Sequence, residues 1–163
     1  MLAKLILANF KPFRNFTIDF PELGLLVGKN NMGKSTLVDA LRLISLEANY
    51  RLRREIVQIP EGVFDDDVHG YLVEPQRIPF PIANVHYEYG NEASYVTARF
   101  DHGVEISLAF AAPPASECYL AVRQDSVYLE NVEAIRRRLR DISIAVLPPA
   151  APFEEREDVL TRK

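Results

Sequence analysis

The sequence predicts an α/β protein: a mixed sheet gathered around a glycine-rich loop and joined to an antiparallel β subdomain. Three observations predict it. Residues 28–35 read Gly-Lys-Asn-Asn-Met-Gly-Lys-Ser, a full match to G-x-x-x-x-G-K-[ST]. An apolar run enters that loop and a helical pattern leaves it, the strand–loop–helix order the motif needs. Short alternating segments separated by glycine turns fill the middle of the chain, as an antiparallel meander requires.

Leu2 to Phe10 reads as a first strand. From Asn15 to Phe20 the pattern alternates, with Phe16, Ile18 and Phe20 on one face and Asn15, Thr17 and Asp19 on the other, a half-buried strand. Pro21 and Gly24 punctuate the way into Leu23–Val27, and Leu25–Val27, apolar throughout, is expected to be a central strand. After the loop, Leu37, Leu41, Ile44 and Ala48 form one stripe of a helix from Thr36 to about Ala48. Arg51, Arg53 and Arg54 follow where positive charge suits the helix dipole, a basic patch for nucleic acid being the alternative. Residues 1–54 thus make a first section.

Residues 55–81 carry Pro60, Pro75, Pro79, Pro81 and Asp65-Asp66-Asp67, and are expected to be a long loop insertion. Consecutive aspartates on a loop are ordinarily solvated rather than metal-binding, and His69 has no partner at ligand spacing. Over 82–112 the meander runs through Val85, Tyr87 and Tyr89, turns at Gly90-Asn91 into Tyr95–Phe100, and turns again at His102-Gly103 into Val104, Ile106, Leu108 and Phe110. Pleated strands favour such tyrosines for packing, although aromatics also stack bases. Over 113–149 the expectation is a strand near Tyr119 to Val122, a helix capped by Asn131 and carrying Val132, Ile135 and Leu139 inward, and an apolar strand from Ile142 to Leu147. Arg136, Arg137, Arg138 and Arg140 sit in that helix's last turns. Residues 150–163 read as the start of a further helix, charged from Glu154 to Lys163.

Composition bounds the possibilities. The chain has 163 residues, is 48% hydrophobic, and carries a net charge of −4 with a pI near 5.4. That supports one buried core and excludes a polyanion binder by overall charge. Cys118 is the single cysteine, so no intrachain disulfide forms, which fits a reducing cytoplasm. No stretch approaches the ~20 apolar residues of a membrane span, and Leu5–Ala8 is too short for a signal peptide. The expectation is a soluble, cytoplasmic protein.

The loop carries the chemistry. Gly28 and Gly33 allow a tight turn whose N–H groups point inward at phosphate oxygens, and the following helix adds its positive end. Lys34 reaches the β- and γ-phosphates, Ser35 ligates Mg²⁺, and Thr36 stands near the α-phosphate. With Asn30, Asn31 and Met32 between the glycines, these residues form a candidate ATP–Mg²⁺ site.

Asn9-Phe10-Lys11-Pro12-Phe13-Arg14-Asn15-Phe16, followed by Gly-x-Asn-Asn-x-Gly-Lys-Ser-Thr, resembles the N-terminus of the RecF/SMC-like AAA ATPases. The resemblance points most closely to OLD-type (overcoming lysogenization defect) nucleases and related ATPases of bacterial defence and DNA repair. It covers residues 1 to about 47, with Ile144 to Pro149 similar to a further segment of OLD-like heads. It implies a P-loop NTPase fold, the N-terminal lobe of an ABC-type head. It also implies that Lys11 stands where the family has an arginine near the nucleotide, and that Asn30 faces the γ-phosphate. Two heads would sandwich the nucleotides, and DNA would be a partner through the parent protein.

Turnover needs a second acidic Mg²⁺ residue at the end of an apolar strand and a water-orienting residue. No apolar run here ends in Asp-Glu, and no Leu-Ser-Gly-Gly signature occurs. The expectation is therefore the N-terminal half of a head, whose Walker B and signature parts come from a C-terminal half or a partner. Two other readings stay open: a small kinase using the same loop, and a partner-binding domain whose assembly the nucleotide regulates without turnover. A GTPase is disfavoured, because no N-K-x-D segment occurs.

Overall fold

The computed structural model describes residues 1–27, 29, 32–49, 55–64, 67–140 and 142–146. Strands β1 (Leu2–Phe10) and β2 (Phe13–Asp19) form a hairpin in the register Leu5↔Ile18 and Leu7↔Phe16. Phe16, Ile18 and Phe20 pack against the core while Asn15, Thr17 and Asp19 face water, as the alternation demands. Helix α1 (Lys34–Asn49) follows. Next come β3 (Val57–Gln58), β4 (His69–Val73), β5 (Ser94–Phe100), β6 (Val104–Phe110), β7 (Cys118–Gln124), β8 (Val127–Tyr128) and helix α2 (Val132–Arg140).

The strands form one eight-stranded sheet in the order β2-β1-β5-β6-β7-β4-β3, with β8 added to β7. Every ladder among the described residues is antiparallel. The parallel component expected of a mixed sheet is not found there.

Both helices cover one face. Leu37, Ala40, Leu43, Ile44 and Ala48 of α1, with Ile135 and Leu139 of α2, close over Leu5, Leu7, Val96, Ala98, Ile106, Leu108, Leu120 and Val122. Each fully buried Leu or Ile contributes about 1.5–3 kcal/mol. The helix stripe is wider than the sequence suggests: Ala40 and Leu43 are fully buried and Leu41 only partly, because α1 lies on a broad sheet rather than in a narrow seam. Asn131 caps α2, its Oδ1 accepting from the Glu133 N–H at 2.8 Å and the Ala134 N–H at 3.3 Å, an arrangement worth about 1 kcal/mol. On the opposite face Ile59, Val63 and Val68 cover Ala109, Ala111 and Ala121. Alanine at those three positions leaves room for a chain segment to lie close on the strands. Cys118 is buried, as a small apolar side chain would be.

Four segments differ from the sequence expectation. Leu25–Val27 is not a strand. Leu23, Leu25 and Val27 stand 92%, 88% and 75% exposed, because no described strand lies beside them to pair with. The expected loop 55–81 contains β3 and β4, and β4 joins the sheet through Tyr71↔Leu120 and Val73↔Cys118. Here Gly70 is required, since a Cβ would collide with the Leu120 carbonyl oxygen and lie 2.9 Å from Ile59 Cδ1. The first arm of the meander is replaced by single 3₁₀ turns at Ile82–Asn84 and Tyr87–Tyr89, the second with positive φ at Glu88 and Tyr89. Pro79 and Pro81 lack N–H donors, and the positive φ values break a strand's pleat. Finally, residues 142–146 form no strand. The Ile142 N–H closes α2 on the Leu139 carbonyl at 3.2 Å, and the Ile144 carbonyl accepts from the Ser45 hydroxyl of α1 at 2.5 Å. Leu147, residues 150–163, Arg51, Arg53, Arg54, Asp65 and Asp66 lie outside the described residues.

His86 ties this region to β1. Its buried ring lies with Nδ1 2.8 Å from the Ser94 hydroxyl, which donates to the Asn9 carbonyl at 2.7 Å. Burial pushes its pKa below the usual histidine value, partly opposed by a hydrogen bond to the Glu92 backbone. The folded state therefore binds fewer protons than the unfolded chain, whose histidines titrate near about 6.5. Stability is full above that value and falls as pH drops below it. Urea midpoints at about pH 7.5 and 5.5 are expected to differ more in the wild type than in His86→Asn. Equal differences would remove His86 from the account.

Candidate nucleotide-binding site

The loop-to-helix junction begins at Gly33, whose φ of +83° is a conformation glycine adopts without strain. Its carbonyl accepts the first helical bond, from the Leu37 N–H at 3.1 Å. The N–H groups of the first turn of α1 therefore have no partner within the helix, and this turn contains no acidic residue to oppose its positive end. An anion is the natural complement. The Lys34 ammonium turns back over the loop and donates to the Lys29 carbonyl at 2.6 Å. Ser35 is exposed and Thr36 buried, so a hydroxyl available to a cation is followed by one held against the core. Met32 is exposed. Gly28, Asn30 and Asn31 lie outside the described residues.

Lys11 lies in the β1–β2 turn with φ +51°. Its ammonium is 2.7 Å from Asp39 Oδ2 of α1 and 3.8 Å from the centroid of the Phe80 ring. Its own N–H donates to the Val85 carbonyl at 2.6 Å. The hairpin thus brings Lys11 beside the second turn of α1, paired there with a carboxylate.

Sequence reasoning missed Phe13. Its ring lies directly on Gly33: a Cβ built there would fall 2.8 Å from Phe13 Cε2 and 3.2 Å from Cε1. Phe13 in turn stacks on Phe16, ring centroids 4.5 Å apart at 28°. An aromatic opening the second strand of a hairpin that precedes a glycine-rich loop is the signal that could have found it.

Among the described residues no group of three His, Cys, Asp or Glu side chains is placed to hold a metal, and no helix is long and apolar enough to cross a membrane. Asp67 accepts from Gln58 Nε2 at 2.9 Å.

The sequence profile of the AAA ATPase domain matches residues 1–143. The chain belongs to the AAA ATPase domain family. No curated protein matches it. Membership implies ATP binding and, as is usual for such domains, Mg²⁺. The residues present fit both: an anion-ready helix end, a lysine over the loop and an exposed serine hydroxyl. The family match also covers every described element through α2, so the antiparallel sheet belongs to the ATPase domain itself.

Proposed function

We propose that the chain binds ATP–Mg²⁺ through residues 28–36 and forms the N-terminal part of a RecF/OLD-like ATPase head. The observation that carries this is the junction at Gly33. A left-handed glycine delivers the chain into a helix whose first turn is free of acidic side chains, with Lys34 and Ser35 at its mouth.

In this reading the loop N–H groups and Lys34 hold the β- and γ-phosphates, and the Ser35 hydroxyl is the protein's ligand to Mg²⁺. When bound, the cation supplies charge neutralisation between those phosphates. Thr36, buried at the start of the helix, stands near the α-phosphate. Hydrolysis further requires a carboxylate beside the metal and an oriented water, effects worth several powers of ten. Asp39, the acidic side chain of α1 nearest the loop in sequence, is already paired with Lys11.

A complementary lobe or a second copy would supply these parts. The apolar run 23–27, exposed beside the loop, supports that reading: it has the composition of a strand and lacks a neighbour among the described residues. DNA as the target of a larger assembly is part of the same proposal.

The test is direct. Calorimetry on residues 1–163 is expected to show Mg²⁺-dependent ATP binding, and a phosphate-release assay to show turnover no faster than the Lys34→Ala blank. Absence of binding sinks the ATP assignment. Robust Mg²⁺-dependent turnover lost in Lys34→Ala sinks the need for a complementing part.

A further inference from the structure

We propose that Phe13 is a positioning residue for the phosphate loop: its ring, seated on Gly33 and braced from the sheet, holds the loop's exit ready for a triphosphate. This rests on the reading of residues 28–36 as a nucleotide site.

Consider first what Gly33 must do. It is the hinge between loop and helix, with its carbonyl in the first turn of α1 and its φ at +83°. The orientation of this one residue sets where the N–H groups of Lys34 and Ser35 point. Glycine is also the residue with the most conformational freedom to lose. Left to itself, the hinge would sample several orientations, and a ligand would have to supply the free energy of ordering it.

Phe13 removes that freedom. The space a side chain at Gly33 would occupy is filled by the Phe13 ring, within 2.8 Å at Cε2. The ring is itself fixed. It stacks on Phe16, which packs against the core, and the Phe13 backbone pairs with Phe10 in the β1–β2 ladder. A second contact holds the same hairpin to the same helix, the Lys11–Asp39 ion pair at 2.7 Å. The hairpin therefore holds α1 at two places, one at the loop's exit and one nearly two turns further along. Rigidity passes from the sheet through Phe16 and Phe13 to the hinge, and the first turn of α1 is held in place.

A flat ring beside a nucleotide site has a rival use, stacking on the base. The two uses separate by ligand. A positioned loop helps any triphosphate, whereas a stacking ring helps only one that carries a base.

The experiment is calorimetric titration of residues 1–163 with Mg–ATP and, separately, with inorganic tripolyphosphate. The proteins are wild type, Phe13→Ala, Phe13→Leu and, as a control, Ile18→Ala. Ile18 is a half-buried residue of the same strand that packs on the core away from the loop. Expected is a loss of about tenfold in Phe13→Ala, by the same factor for both ligands, with Phe13→Leu between it and wild type. Ile18→Ala is expected to lower Tm and leave both affinities unchanged.

Equal affinities in wild type and Phe13→Ala overturn the proposal. So does a loss confined to ATP, which would make Phe13 a base-stacking surface, and so does an equal loss in Ile18→Ala, which would make the effect general destabilisation. If Phe13→Ala does not fold, Phe13→Leu is read against the same outcomes. A wild type that binds neither ligand removes the nucleotide assignment and this proposal together; a wild type that binds while the Phe13 variants match it removes this proposal alone.

Discussion

Lys34→Ala is expected to weaken ATP binding by roughly ten- to a hundredfold while leaving the fold intact. Both halves follow from where Lys34 sits. Its backbone opens α1, but its ammonium reaches over the loop to a carbonyl at the surface rather than into the core. Truncation leaves the apolar core in place, so the stability change should be small, within about 1 kcal/mol. Affinity is another matter. A charge-assisted contact to phosphate is worth roughly 1.5–3 kcal/mol. Lys11 is held by Asp39 and Phe80. Calorimetry gives the affinity and thermal unfolding gives the control. A variant that binds as tightly as wild type ends the assignment of this loop. A variant that has lost its cooperative melt shows that Lys34 is structural.

The parts of the fold legible in the sequence are those whose periodicity meets its partner nearby. β1, β2 and the β5–β6 pair are hairpin neighbours, and their alternation is enough to set their faces. α1 and α2 carry apolar stripes and, for α2, a capping asparagine. β4 was hidden because its partner, β7, lies far along the chain, and because Pro60 and Pro75 suggested a loop when in fact they bracket a short strand. The segment Val85–Tyr89 failed in the opposite sense. It alternates like a strand, yet its buried residues are the neighbours Val85 and His86, which cannot share one strand face, and the backbone turns at Glu88 and Tyr89. Leu25–Val27 has a strand's composition with nothing described beside it, and pairing is a property of two segments, not one.

The candidate site divides in the same way. The loop motif is local and was readable in full. The Phe13–Gly33 contact and the Lys11–Asp39 pair join residues 20 and 28 positions apart, respectively, and exist only because the hairpin folds back over α1.

Arg77→Ala is expected to destabilise the protein by about 1.5–3 kcal/mol, the larger of the stability effects foreseen. Glu47, near the end of α1, has a side chain only 2% exposed, and its Oε1 accepts from Arg77 Nε at 3.0 Å. Arg77 also donates through Nη2 to the Leu46 carbonyl at 3.0 Å, satisfying a group that the end of a helix leaves open. Removing the guanidinium takes these contacts away from a carboxylate that stays buried. Glu47→Gln should cost much less, because a neutral amide in the same place carries no charge to desolvate. For a chain of this length each kcal/mol shifts Tm by about 2–4 °C, so Arg77→Ala should melt roughly 3–12 °C lower. The pair holds the far end of the helix whose near end carries Lys34 and Ser35. ATP affinity measured well below the variant's Tm should nevertheless change little, because the helix start is held separately by Phe13 and Lys11. Thermal unfolding of the two variants decides the first point: a drop of under about 2 °C in Arg77→Ala would show that the pair contributes no more than an exposed one. Titration at low temperature decides the second, and a large loss of affinity there would mean that the two ends of α1 are coupled.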